Sequence, residues 1–149
     1  MATQISRIIP VLRIFDVAKA REFYLEFLGF VVVFEHRFEP GLPLYMRLAL
    51  GEVVLDLSEH HGDCAPGAKV LIETAGLVEY QARLMAKRYG YARPGLVKQD
   101  WGATTMTIAD PFFNHLVFSE SGGDLAALPS SPSQHALSHA DQKFGIAED

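Results

Sequence analysis

The chain has a single cysteine, Cys64, in 149 residues. That excludes an internal disulfide and any cysteine-rich zinc site. Basic residues are also scarce: 13 Lys and Arg stand against 18 Asp and Glu, for a net charge of −5. A nucleic-acid surface needs clustered positive charge, so no nucleic-acid partner is expected, and anionic lipid gains no support. A cationic ligand is mildly favoured at long range, although salt screens such a field. No apolar run is long enough to span a bilayer, and no basic-plus-apolar leader opens the sequence. A cytoplasmic protein with no membrane partner is therefore expected. What is present is a globular balance, 49% hydrophobic against 21% charged, in a length that suits one domain with a sizeable core.

The first half reads β-α-β-β-β. "RIIPVLRIF" alternates and is rich in β-branched residues, which predicts a strand over Arg7–Phe15. Pro10 donates no hydrogen bond, which suits an edge or a strand that leaves its neighbour there. Asp16 is a good N-cap. Val17, Ala20, Phe23, Tyr24, Phe27 and Leu28 then recur at helical spacing, and Gly29 ends the helix. "FVVVFEHRF", "LYMRLAL" and "EVVLDLS" follow as three strand-like runs.

The second half repeats that order. "AKVLIET" is a strand, "GLVEYQARLMAKRYG" a helix ending at Gly90, and "LVKQD", "ATTMTIA" and "NHLVFSE" are three more extended runs. Gly29 and Gly90, Asp56 and Val117, and Ile9 and Val70 each lie 61 residues apart. Three landmarks at one offset, in one element order, predict a duplicated βαβββ module. The modules are placed at about 5–60 and 66–120, within a domain over 1–120. From Ser121 a Gly/Ser/Pro-rich linker opens an appendage over 121–149.

With "DVAKAREFYLEFLGF" (16–30) and "DPFFNHLVF" (110–118) in this arrangement, the sequence resembles the vicinal-oxygen-chelate superfamily. That superfamily includes glyoxalase I, extradiol dioxygenases, fosfomycin-resistance enzymes and bleomycin-resistance proteins. "IPVLRIFDV" and "DWGATTMTIADP" look most like the bleomycin-resistance branch. The resemblance implies an α+β fold in which two tandem βαβββ modules form a curved mixed-sheet cup, with helices on the outer face. It covers roughly residues 5 to 120. The family turn has glycine where this chain has Phe113. Either Asn114 takes the left-handed position, or the Phe112–Phe113 pair packs against the helical face or the appendage to offset the strain.

Catalytic members of the superfamily hold a divalent metal in the cup through His, Glu or Gln from the first and last strand of each module. Carried over, those slots are Ile9, Asp56, Lys69 or Val70, and Val117. Only Asp56 ligates in the usual way, so no metal and no cofactor are expected. His60 and His61 read as a polar loop. His135 and His139 share helical i, i+4 spacing in a tail that reads as solvated.

If the carried-over slots Asp56, Val117 and Ile9 face inward as the resemblance implies, alternation assigns a wall to the cup. Val54, Asp56 and Ser58 share one face, as do Ile9, Val11 and Arg13, and likewise His115, Val117 and Ser119. Tyr45 and Arg47 face the same way. The expected ligand-binding residues are Arg13, Tyr45, Arg47, Asp56, Trp101 and His115, with none assigned to catalysis. Trp101 offers a flat aromatic platform, or else a cap on a strand end. An Arg–Asp pair inside the cup would satisfy itself. The resulting expectation is a metal-independent homodimer of bleomycin-resistance type that sequesters an aromatic or cationic antibiotic-like compound. Two alternatives stand beside it: a lyase, isomerase or dioxygenase with an atypical metal site, and an interaction domain without chemistry.

Overall fold

The computed structural model describes residues 1–122. Its elements run β1 (Val11–Arg13), α1 (Val17–Ala20) continuing into a π-helix (Arg21–Phe27), β2 (Val31–His36), β3 (Tyr45–Leu50) and β4 (Val53–Ser58). The order then repeats with β5 (Lys69–Glu73), α2 (Leu77–Ala86), β6 (Val97–Lys98), β7 (Thr104–Ala109) and β8 (His115–Glu120). Two four-stranded mixed sheets result, ordered β1-β4-β3-β2 and β5-β8-β7-β6. In each, the first strand lies parallel to the last and the other pairs are antiparallel. No described helix is long and apolar enough to cross a membrane.

Period-2 alternation sorts each strand into two faces. Met46, Leu48, Leu55 and Leu57 turn to the core from the first sheet, and Met106, Ile108, Leu116 and Phe118 from the second. The first helix contributes Ala20, Phe23, Tyr24, Phe27 and Leu28, all buried, as its spacing predicts. These residues make one continuous cluster, so the helices and both sheets share a core while the opposite face of each sheet stays outside it. Asp16 caps the first helix by accepting from the Lys19 N–H (2.9 Å). Gly29 lets the chain leave the helix at φ +93°, a conformation that costs a residue with a Cβ about 1–2 kcal/mol.

Three expectations need correction. The first strand is shorter than Arg7–Phe15: pairing stops at Pro10, which has no N–H to offer β4, and residues 1–8 run exposed. The first strands also repeat at an offset of 60 rather than 61, because Val11 pairs with Asp56 and Leu71 with Val117. Lys69, not Val70, therefore shares a face with Val117, and Val70 packs against the core. Finally, α2 ends at Ala86 rather than Gly90. The chain turns early because Lys87 Nζ reaches the carbonyls of Glu26 (2.8 Å) and Phe27 (2.6 Å), and Arg88 takes the left-handed position at φ 51°. The expected appendage lies outside the described residues apart from positions 121 and 122.

The two halves are fastened by one buried network. Asp110 Oδ1 accepts from the backbone N–H groups of Phe112 and Asn114, each at 2.8 Å. Its Oδ2 accepts from Tyr24 Oη and Asn114 Nδ2, each at 2.7 Å. Asn114 Nδ2 also donates to the Arg13 carbonyl (2.9 Å), and its Oδ1 accepts from the Ala68 N–H (3.1 Å). Helix, β1, the approach to β5 and the β7–β8 turn thus meet at two side chains.

That network decides the conformation of the Asp-Pro turn. Asn114 is held at both its N–H and its amide, so the left-handed residue is Phe113 itself, at φ 69°. Phe112 is buried, but Phe113 is 73% exposed, so the expected packing of its ring on the helical face is not found. Any contact with the appendage falls outside the described residues. Phe113→Gly should therefore raise stability by about 0.5–1.5 kcal/mol, the relief of left-handed strain less the added chain entropy. Urea unfolding measures this directly. A loss of more than about 1 kcal/mol would show instead that the ring is an anchor.

Candidate ligand-binding face

On the face of the first sheet turned away from the core, Asp56 on β4 stands beside Arg47 and near Tyr45, both on β3. Arg47 holds the carboxylate with two bonds, Nε to Oδ1 at 2.8 Å and Nη2 to Oδ2 at 3.0 Å. Tyr45 Oη donates to the same Oδ2. The expected self-satisfied Arg–Asp pair is therefore present, with a phenol added. Burial raises the Asp56 pKa, but the bonds from Arg47 and Tyr45, with the nearby positive charge, outweigh it and leave the group below the usual carboxylate range. Burial and the bond to Asp56 push the Tyr45 phenol up to about 12. At neutral pH the trio is an ionised carboxylate clamped by a cation and a neutral phenol.

Phe34 completes this surface. Its ring lies 6.4 Å from that of Tyr45 at 13°, with the Arg47 guanidinium 5.0 Å from its centroid. Sequence reasoning missed it. In "FVVVFEH", plain alternation puts Val31, Val33 and Glu35 on one face, but a register shift between Val32 and Phe34 brings Phe34 opposite Arg47. A β-bulge reverses faces beyond it and leaves no clear mark in a run of valines.

Arg13 lies across β4 from Tyr45, since both pair with Ser58. Ser58 Oγ donates to Asp63 (2.6 Å) and accepts from the His60 N–H (3.0 Å). Four of the six expected residues, Arg13, Tyr45, Arg47 and Asp56, are thus gathered on one face. Trp101 and His115 are not with them. Trp101 is 75% exposed in the turn between β6 and β7, so neither capping of a strand end nor contact with the first sheet is seen. His115 opens β8 on the corresponding face of the second sheet, exposed, with Lys69, Leu71 and Val117 around it. Within one chain, the two sets belong to different sheets.

The donor set does not fit the superfamily's metal. Ile9 and Val117 carry no donor atom, Lys69 is cationic, and both oxygens of Asp56 are already engaged by Arg47 and Tyr45. Among the described residues, no three of His, Cys, Asp and Glu cluster as a metal site would require. His135 and His139 lie outside those residues.

Residues 2–124 match the family model described as glyoxalase superfamily protein. No curated protein matches the chain. Among solved structures, a bleomycin-binding protein complexed with bleomycin is 26% identical, with a TM-score of 0.59 over 78% of this chain and 99% of that one. A bleomycin resistance determinant encoded on the transposon Tn5 is also 26% identical, with a TM-score of 0.61 over 78% and 98%. TnmS3, an antibiotic binding protein from Streptomyces sp. CB03234, shares the fold at 21% identity, with a TM-score of 0.58 over 80% and 99%.

Proposed function

Because this chain belongs to the glyoxalase superfamily, and near its bleomycin-resistance branch, we propose that it binds and sequesters a planar, antibiotic-like compound as a homodimer, without metal and without turnover. The observation that carries this reading is the closed trio of Arg47, Asp56 and Tyr45. A carboxylate whose two oxygens already accept three hydrogen bonds from a guanidinium and a phenol is a poor ligand for a cation and a poor base. What the trio and the neighbouring Phe34 do offer is a half-exposed surface of Arg47, Tyr45 and Phe34 on which a flat molecule can lie. Sequestration needs that and nothing more, whereas catalysis needs groups that act only in the transition state. In a homodimer, the second sheet of the partner, with its counterparts of Trp101 and His115, would supply the opposing wall.

Trp101 is the sole tryptophan, so its fluorescence would report on a ligand held against the partner's wall. A screen of aromatic antibiotics by fluorescence quenching should find a ligand at about 1 µM or tighter, roughly 8 kcal/mol. Calorimetry on Trp101→Ala should show binding weakened by about 1–3 kcal/mol, in the range of aromatic hot spots. The recovered ligand should be unchanged by mass spectrometry, and chelator should leave the melting temperature where it was. A modified product formed over many turnovers would hand the case to a lyase or dioxygenase. No binder in a broad panel would leave an interaction domain.

A further inference from the structure

We propose that Arg13 is an oxyanion receptor, so that the ligand of this face carries a carboxylate, sulfonate or phosphate group. The proposal rests on the reading of the first sheet's open face as the binding face and adds a chemical class to it.

Arg13 is only 9% exposed, yet among the described residues no carboxylate pairs with it. Among the described residues the ion pairs are Arg21 with Glu35, Arg37 with Glu59, and Arg47 with Asp56. Arg13 Nη1 reaches the Ser58 carbonyl at 3.4 Å, a long bond to an oxygen that already accepts from the Ile14 N–H at 2.9 Å. Of the two acids that follow β4, Glu59 is taken by Arg37 and the Leu44 N–H, and Asp63 is held by Ser58 Oγ. Phe15 covers one face of the guanidinium, 4.7 Å from ring centroid to Cζ. Stacking of that kind satisfies the flat face and leaves the N–H edge free.

A buried charge is held in place only when something pairs with it. No fully occluded side-chain nitrogen in the described residues lacks a partner, so the unused donors of Arg13 reach open space. Pairing of β1 with β4 holds the Arg13 backbone from one side, Asn114 Nδ2 holds its carbonyl from the other at 2.9 Å, and the guanidinium itself rests on the Phe15 ring and the Ser58 carbonyl. A guanidinium anchored in this way presents its planar fork to an oxyanion without having to reorganise. Arg47 and Asp56 pair with each other and Asp63 is held by Ser58 Oγ, so Arg13 is the cation of this face whose donors stay open to an anion.

The test uses two probes of matched shape, 2-naphthoate and 2-naphthamide, titrated into the full chain by calorimetry. The Arg13 Nε–Hε resonance, assigned by its absence from Arg13→Lys, is followed alongside. Wild type should prefer the carboxylate at least about 10-fold, with the preference shrinking as salt rises, and the Arg13 resonance should shift at saturation. Arg13→Met should bring the preference below about 2-fold. Equal binding of the two probes, or a preference that survives Arg13→Met, would overturn the role of Arg13 while leaving the binding face in place. Binding of neither probe up to about 1 mM, a bare 4 kcal/mol, would overturn both. If Arg13→Met does not fold, the wild-type resonance decides: an Arg13 signal unmoved by saturating naphthoate sinks the proposal.

Discussion

Asp110→Ala should cost about 4 kcal/mol of folding stability, enough to bring a domain of ordinary stability close to unfolding at 37 °C. The carboxylate is 6% exposed and accepts four hydrogen bonds. Removing it leaves the Tyr24 hydroxyl and two backbone N–H groups without a partner inside the protein. Each orphaned buried donor costs about 1–3 kcal/mol, because it lost its water on folding and gains nothing in return. Asn114 Nδ2 is affected less, since it retains the Arg13 carbonyl. A graded series checks the cause. Asp110→Asn keeps one carbonyl acceptor and should cost about half as much. Tyr24→Phe removes a single donor and should cost about 1 kcal/mol. Urea melts of the three variants should fall in that order. A loss under about 1.5 kcal/mol for Asp110→Ala would mean that the modules are held mainly by their apolar contacts.

This network also marks the limit of what the sequence discloses. "DPFFN" and "EFY" stand out as motifs, but their meaning depends on bonds between residues 86 and 101 positions apart. Local pattern carries no such information. What pattern does carry is which residues face the same way, and there the sequence was readable. Alternation, with the carried-over slot of Asp56 taken as inward and the Leu-rich side of β3 as core, puts Tyr45, Arg47 and Asp56 on one face, and the structure joins them by hydrogen bonds. The failures occur where alternation is interrupted. A bulge in β2 hid Phe34. A strand of three residues was too short to fix its own register, so Ile9 and Val70 were matched one position out. Lys87 overrode the glycine signal at the end of α2 through contacts with another helix. Trp101 and His115 were assigned to the same wall as Asp56, yet one chain does not bring them there. The duplication shows that the two faces are equivalent but not which face meets which.

The protein should sediment as a homodimer at micromolar concentration, and Val31→Asp with Leu71→Asp should make it a monomer. β2 is the edge of the first sheet and is exposed along its whole length, with Val31 63% and Val33 56% accessible. Leu71 (69%) and Val97 (54%) are open on the non-core face of the second sheet, and Ile5 and Ile8 extend beyond β1 at 95% and 92%. Single exposed apolar residues mean little, but an uncovered edge strand together with an apolar patch on the second sheet favours association. In the proposed homodimer, twofold pairing would set the first sheet of one chain against the second sheet of its partner and cover this edge. A charge placed in such an interface should cost about 2 kcal/mol or more at each site, and separated sites add, for a rise of about 1,000-fold in the dissociation constant. Both side chains are open in the single chain, so neither substitution disturbs its core. Ligand binding measured on the same variant makes the result sharper. If the opposing wall comes from the partner, affinity must fall together with dimerisation. A wild-type monomer at about 100 µM, well above the micromolar range where such pairs form, would remove the shared site. A monomeric variant that still binds its ligand fully would confine the site to the face built by Arg13, Tyr45, Arg47 and Asp56.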